Sequence, residues 1–185
     1  MTPPPRRGTR YRERGTSSPV TSHRDGAARP FRVLVLCTGN SARSQIAEAL
    51  LATRGRGRVE ATSAGSRPAS RVSDFAVDVL REHGIAWSPH APRGLDAVAG
   101  REFDLVITVC DDARDACPHF PGARTMAHWG MPDPAAVTGD VETKRRAFRD
   151  TYAVLERRVD QLLALPLETL DTEALVERAR EVGKA

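Results

Sequence analysis

Apolar and polar positions alternate along the chain with periods that change from segment to segment. Residues 1–30 carry almost no large apolar residue and are rich in Pro, Gly, Ser, Thr and Arg. Such a stretch cannot bury enough surface to offset ordering entropy, and it is expected to be a disordered tail. Phe31–Leu36 is short, apolar and β-branched, the mark of a central strand buried on both faces. After a break at 37–40, Ser41–Arg54 takes a helical period, with Ile46, Ala49, Leu50 and Thr53 on one face. Arg58–Thr62 fits a second strand, and Ser73–His83 a helix with Phe75, Val79 and Leu80 inward and Gly84 as its stop. Asp104–Val109 and Arg124–His128 read as the third and fourth strands, and Asp111–Ala116 between them as a short helix that Pro118 ends. Val141–Leu165 is a long helix with Phe148, Tyr152, Leu155, Val159 and Leu162 on one stripe, and Asp171–Val182 is a last short helix.

Strands alternating with helices predict an α/β fold: a single domain with a four-stranded parallel sheet flanked by helices. The expected organisation is a disordered basic tail over 1–30, the α/β domain over 31–165 and a C-terminal helical extension over 166–185. Ligands of such sheets bind at the carboxyl ends of strands. Leu36 and Val109 end strands and Cys37 and Cys110 follow them, so both cysteines belong on one rim of the sheet.

Composition changes this picture only at the tail. The chain of 185 residues has a net charge of +4. Seven arginines against Glu13 and Asp25 give residues 1–30 a net +5, leaving −1 for the rest. The basic character therefore belongs to a solvated extension, and no nucleic-acid partner is expected. No run of 18 apolar residues and no apolar leader core is present, so neither a membrane partner nor export is expected. Three cysteines are too few for a secreted disulfide scaffold, and a reducing, cytoplasmic setting follows.

Cys37-Thr-Gly-Asn-Ser-Ala-Arg43-Ser44 is Cys-x5-Arg between a strand and a helix. Five intervening residues can curl the backbone around an oxyanion, and Gly39 and Asn40 tolerate the left-handed conformations that curling demands. The amides of Thr38, Gly39, Asn40, Ser41, Ala42, Arg43 and Ser44 would then form an anion nest, aided by the positive end of the following helix. Arg43 suits two oxyanion oxygens. The same groups favour a thiolate, so Cys37 is expected to be an acidic nucleophile, with Ser44 donating a further hydrogen bond to its sulfur.

Cys110 and Cys117 stand seven residues apart. Zinc ligation fails, because the pair lacks Cys-x2-Cys spacing and no second pair completes a site, so no metal is expected. Packing and redox roles both remain open. On an intact helix the pair would lie about 10.5 Å apart, whereas a disulfide needs Cα atoms within roughly 7 Å. A bond between them requires the segment to unwind. Asp133 before Pro134 is either a turn residue or a general acid, depending on whether it reaches the anion loop.

The segment CTGNSARSQIAEALL resembles the active-site segment of the low-molecular-weight tyrosine phosphatase fold, specifically its arsenate reductase branch. The resemblance continues through TSAG (62–65), the Cys110–Cys117 segment, HWGMPDPA (128–135) and LPLETLD (165–171), covering nearly all of 31–175. It implies that Cys37 attacks arsenate, Cys110 then attacks Cys37 and releases arsenite, and Cys117 takes over the disulfide on an unwound segment. It also implies Asp133 as general acid, thioredoxin or a similar thiol donor as reductant, phosphate or sulfate as mimics of arsenate, and no cofactor. Phosphatases of this fold carry aromatic residues after Asp-Pro. Ala135 and Ala136 stand there here, which favours a small inorganic anion. Some relatives hold potassium with an Asn, Glu, Ser and Asp set. Asn40, Glu48 and Ser63 match, but Arg93 takes the Asp position, and its guanidinium would fill that space. His128 and Trp129 read as packing residues, and His90 and His119 have no evident partner. A small-phosphoester phosphatase and a non-enzymatic thiol redox sensor remain the alternatives.

Overall fold

The computed structural model describes residues 29–185, so the expectation of a disordered tail lies outside the described residues as far as 28. Arg29, inside the expected tail, is docked. Its guanidinium donates to both carboxylate oxygens of Asp104 at 2.7 and 2.8 Å, and the Arg32 amide donates to the same carboxylate at 2.9 Å. Burial pushes the Asp104 carboxyl up, but Arg29 and the Arg32 amide outweigh it and hold the group below its ordinary range.

Four parallel strands, β1 (Phe31–Cys37), β2 (Val59–Gly65), β3 (Leu105–Thr108) and β4 (Met126–His128), form one sheet in the order β2-β1-β3-β4. The strand alternation of β1 explains its continuous apolar run. Val33 and Val35 join Ile46, Leu50, Leu155 and Val159 in the larger core cluster, while Leu34 and Leu36 join Val98, Phe103, Val106 and Phe120 in the smaller one. Helices α1 (Arg43–Arg54), α2 (Asp74–Glu82), α4 (Val141–Leu163) and α5 (Thr172–Gly183) build the larger cluster. A 3-10 turn at Leu95–Val98 and the 117–123 segment cover the other face. The short helix α3 (Asp111–Ala116) follows β3 at the carboxyl rim.

The starts of α4 and α5 are capped by aspartates. The Asp140 side chain accepts from the Thr143 amide at the start of α4, and Asp171 accepts from Ala174 at the start of α5. Residues 166–185, set apart in the sequence reading, pack into the same core, where Leu167, Leu175, Ala179 and Val182 are buried. Strand β2 runs three residues beyond its expected end. Ser63, Ala64 and Gly65 have little strand propensity of their own, but they pair with Val35, Leu36 and Cys37. Among the described residues no helix is long and apolar enough to cross a membrane.

Candidate active site

Cys37 is the last residue of β1 and Arg43 the first of α1, so the intervening loop closes the carboxyl end of the central strand. The loop is braced from outside. Its carbonyls at Cys37, Thr38, Gly39 and Ser41 accept from the amides of Ser66, Arg67, Ala69 and Ser73, at 2.8–3.1 Å. With the carbonyls turned outward, the peptide dipoles present their N–H ends to the interior, the arrangement an oxyanion requires. Asn40 takes the left-handed conformation, at φ 48°. Gly39 does not share it, against expectation. The close approach instead falls on Gly65, where a Cβ would stand 2.6 Å from the Thr38 oxygen and 2.9 Å from the Asn40 nitrogen.

The Cys37 sulfur receives the Asn40 amide at 3.0 Å and lies 2.9 Å from Ser44 Oγ. Asn40 Nδ2 donates to Ser44 Oγ at 3.0 Å, which leaves the Ser44 proton free to point at the sulfur. The same Nδ2 donates to Ser63 Oγ at 2.8 Å, and Ser63 donates to the buried carboxylate of Glu48. Expectation and structure part over acidity. Burial, with Cys37 only 3% exposed, pushes the thiol up from its ordinary value. The hydrogen bonds from Ser44 and Asn40 pull it down by less. The sequence displays donors and charge, and it does not display how completely a residue is desolvated.

Arg43, 7% exposed, donates to the Met131 carbonyl at 3.1 Å and pairs with Asp133 Oδ2 at 3.0 Å. Asp133 Oδ1 meanwhile accepts from the Ala135 amide at 3.0 Å. Asp133 is therefore both a turn residue and a neighbour of the loop arginine. Thr38 Oγ1 lies 3.3 Å from Cys110 Sγ, so the first two cysteines do share the rim. Cys110 and Cys117 flank α3 as its N-cap and C-cap residues. They belong to different apolar clusters, Cys110 to the larger and Cys117 to the smaller. Burial raises the Cys117 thiol above its ordinary value. All three cysteines are free.

Arg93 stands among Asn40, Glu48 and Ser63, where the resemblance put it. Nη2 donates to Glu48 Oε1 at 3.1 Å, Nε to the Ser63 carbonyl at 3.0 Å, and its amide to Asn40 Oδ1 at 3.0 Å. A cation already stands between Glu48 and Ser63, so these residues do not fit a potassium ion. His90, left without a partner in the sequence reading, has Nε2 2.8 Å from Glu48 Oε2. The two are 42 residues apart and no local pattern links them. Trp129 is fully buried and donates to the Ala179 carbonyl at 2.9 Å, as a packing residue does. His128 bridges Thr108 Oγ1 at 2.8 Å and Asp111 Oδ1 at 3.1 Å, tying β3 to the first turn of α3.

Comparison with known proteins fits this geometry. The family model described as low molecular weight phosphotyrosine protein phosphatase matches residues 32–176. The chain is 35% identical over 127 residues to an arsenate reductase of Halalkalibacterium halodurans, covering 69% of this chain and 91% of that protein. Among solved structures, an arsenate reductase in a phosphate-binding state superposes with a TM-score of 0.62 at 27% identity, covering 72% of this chain and 97% of the other. A thioredoxin-dependent arsenate reductase of Corynebacterium glutamicum gives 0.52 at 29% identity, covering 73% of this chain and 64% of the other.

Proposed function

The chain belongs to the low molecular weight phosphotyrosine protein phosphatase family, and on that premise we propose that it reduces arsenate to arsenite by a three-cysteine relay reset by a thioredoxin-class dithiol carrier. The observation that carries the reading is the meeting of Thr38 and Cys110, which puts a second thiol at the mouth of the Cys37 loop. A hydrolytic phosphatase needs only Cys37, Arg43 and Asp133, and it has no use for that thiol or for a third one seven residues on.

In the proposed sequence the inward amides and Arg43 hold the arsenate oxygens, Arg43 exchanging Asp133 for substrate. Cys37 Sγ bonds to arsenic. Asp133 protonates the departing hydroxyl, which leaves as water, and Asp133 is reprotonated by the thiol proton of Cys37. The Asn40 amide and the Ser44 hydroxyl stabilise the charge that builds on Cys37 Sγ as its proton leaves. Cys110 Sγ then attacks Cys37 Sγ. The sulfur–arsenic electron pair passes to arsenic, As(V) becomes As(III), and arsenite departs with the Cys110 proton. Cys117 Sγ gives up its proton and attacks Cys110 Sγ next, Cys37 leaves and takes up a proton to become the thiol that opens the next turnover, and Cys110–Cys117 is left oxidised.

The test is arsenite formation from arsenate with thioredoxin and its reductase, run beside phosphate release from an aryl phosphate. The expected result is thioredoxin-dependent arsenite with aryl phosphate turned over at least about 100-fold more slowly, a gap of some 2.7 kcal/mol in barrier. The reverse ranking would return the chain to the hydrolytic reading.

A further inference from the structure

Beside Cys117 the surface is cut by a cavity of about 320 Å³. Arg114 of α3, Arg180 of α5, its C-cap Lys184, His128, Met126 and Cys117 itself line it without a carboxylate, while Glu173, Glu177 and Glu181 line the adjoining cavity on the far side of Arg180 and Lys184. Arg114 is ion-paired with Asp111 and Asp115. Among the described residues the ion pair within α5 joins Arg178 to Glu181, and Arg180 and Lys184 stand exposed outside it.

The position of α5 is tightly set. A Cβ on Gly183 would come within 2.5 Å of the His128 carbonyl oxygen and 2.6 Å of the Trp129 ring, so only glycine permits this approach. The bond from Trp129 Nε1 to the Ala179 carbonyl fixes the same helix at 2.9 Å. The fold thus carries two cations, Arg180 in its last helix and Lys184 at the helix C-cap, to the side of the third cysteine. Both lie beyond residue 176, where the family match ends.

We propose that this cationic cavity is the docking surface for the acidic face of the dithiol protein that reopens the Cys110–Cys117 disulfide, an inference that rests on the relay above. The chemistry balances as thiol–disulfide exchange. A carrier thiolate attacks Cys117 Sγ, the Cys117–Cys110 bond breaks, and Cys110 leaves as a thiolate that takes a proton from water. The second carrier thiolate then attacks the carrier sulfur of the mixed disulfide and releases Cys117. The carrier is oxidised by two electrons and the cysteine pair is reduced. A protein suits the site better than a free thiol. Exposed cations spread over two helices are screened within about 8 Å at physiological salt and hold one carboxylate weakly. An acidic surface engages several of them together and is steered to them from solution.

The experiment measures steady-state arsenate reduction by the full chain against thioredoxin concentration at low and high salt. Arg180→Glu with Lys184→Glu should raise KM for thioredoxin about tenfold at low ionic strength and less than about twofold near 0.5 M salt. kcat at saturating thioredoxin should hold. Arsenite released in a first turnover without carrier reports the fold and the anion loop, and it should match the parent. The milder Arg180→Gln with Lys184→Gln should raise KM about threefold, and it decides the matter if charge reversal damages the fold. An unchanged KM in the folded variants would overturn the proposal. So would charge-sensitive turnover driven equally well by millimolar glutathione, which would give the cavity to a small anionic thiol. Failure of the relay has a separate sign, namely full thioredoxin-driven turnover by Cys117→Ala.

Discussion

The two cysteine-bearing segments of the rim are built in opposite ways. The Cys37–Ser44 loop is braced outside by the amides of residues 66–73 and inside by Asn40, whose side chain ties Ser44 to Ser63. Between Cys110 and Cys117, both buried, runs a six-residue helix that is exposed except at Ala113, and the Cys110 side chain does not cap its first amides. Exposed pairs hold it, Arg114 with Asp111 and Asp115 and His128 with Asp111, each worth at most about 1 kcal/mol. A helix this short is marginal by itself. The contrast separates two physical demands. Anion binding needs dipoles already in place before the ligand arrives. The proposed disulfide shuttle needs a segment that gives up its structure at low cost, because in it Cys117 would leave the smaller apolar cluster to reach Cys110.

The largest effect belongs to the braced loop. Cys37→Ser should lower arsenite formation by more than about 1000-fold, since an alcohol is a far weaker nucleophile than a thiol. The circular dichroism spectrum and melting temperature should hardly move. Measurable multiple turnover by this variant would remove the loop from the chemistry.

Ser44→Ala sharpens the same side. The hydroxyl stabilises the charged form of Cys37, so its loss should raise a thiol pKa that burial already raises. The rate near pH 7 should fall about tenfold, and the pH profile should shift to higher pH. Alkylation of Cys37 against pH, in a chain lacking the other two cysteines, reads this directly. A shift to lower pH would contradict the assigned hydrogen bond.

A substitution remote from both segments provides the baseline. Arg29→Ala should cost about 1 kcal/mol at neutral pH, a modest figure because Arg29 is 56% exposed. The Asp104 carboxyl is depressed in the folded state, so its contribution is present above the unfolded value of about 3.9 and is lost as pH falls through the folded value. Urea midpoints of the variant and parent should therefore converge in acid. Removal of residues 1–28 should leave both stability and arsenite formation unchanged, because their sequence has no apolar stripe to dock and Arg29 is kept.

The smallest expected change in stability is in the shuttle. Asp111→Asn weakens the contacts to Arg114 and His128 and should cost about 0.5 kcal/mol overall. Amide exchange across 110–118 should nevertheless quicken, while phosphate affinity at the loop stays the same. A global loss above about 2 kcal/mol would show that α3 is as tightly built as the loop.

The sequence displayed one segment better than the other. Cys-x5-Arg between a strand and a helix is a local pattern, and the α1, α2 and α4 periods are local too, so all were legible. The bracing of the loop was not, because it comes from backbone amides of residues 66–73 whose side chains carry no signal. Glu48, His90 and Arg93 meet across more than 40 residues, and only the resemblance placed Arg93. The last three residues of β2 were missed because pairing with β1, not propensity, extends them. The Cys37 thiol was expected to be acidic because donors can be counted in a sequence and desolvation cannot.

The central claim is that the braced loop performs one step and the loose segment carries the oxidation away. Peptide mapping after a single arsenate turnover with the carrier withheld, with amide exchange measured on the same samples, tests it most directly. The unmodified protein should hold a Cys110–Cys117 disulfide with faster exchange across 110–118. Cys117→Ala should release one equivalent of arsenite and stop as a Cys37–Cys110 disulfide with α3 still protected. A Cys110–Cys117 bond formed without loss of protection in α3, or full turnover by Cys117→Ala with thioredoxin, would contradict the account.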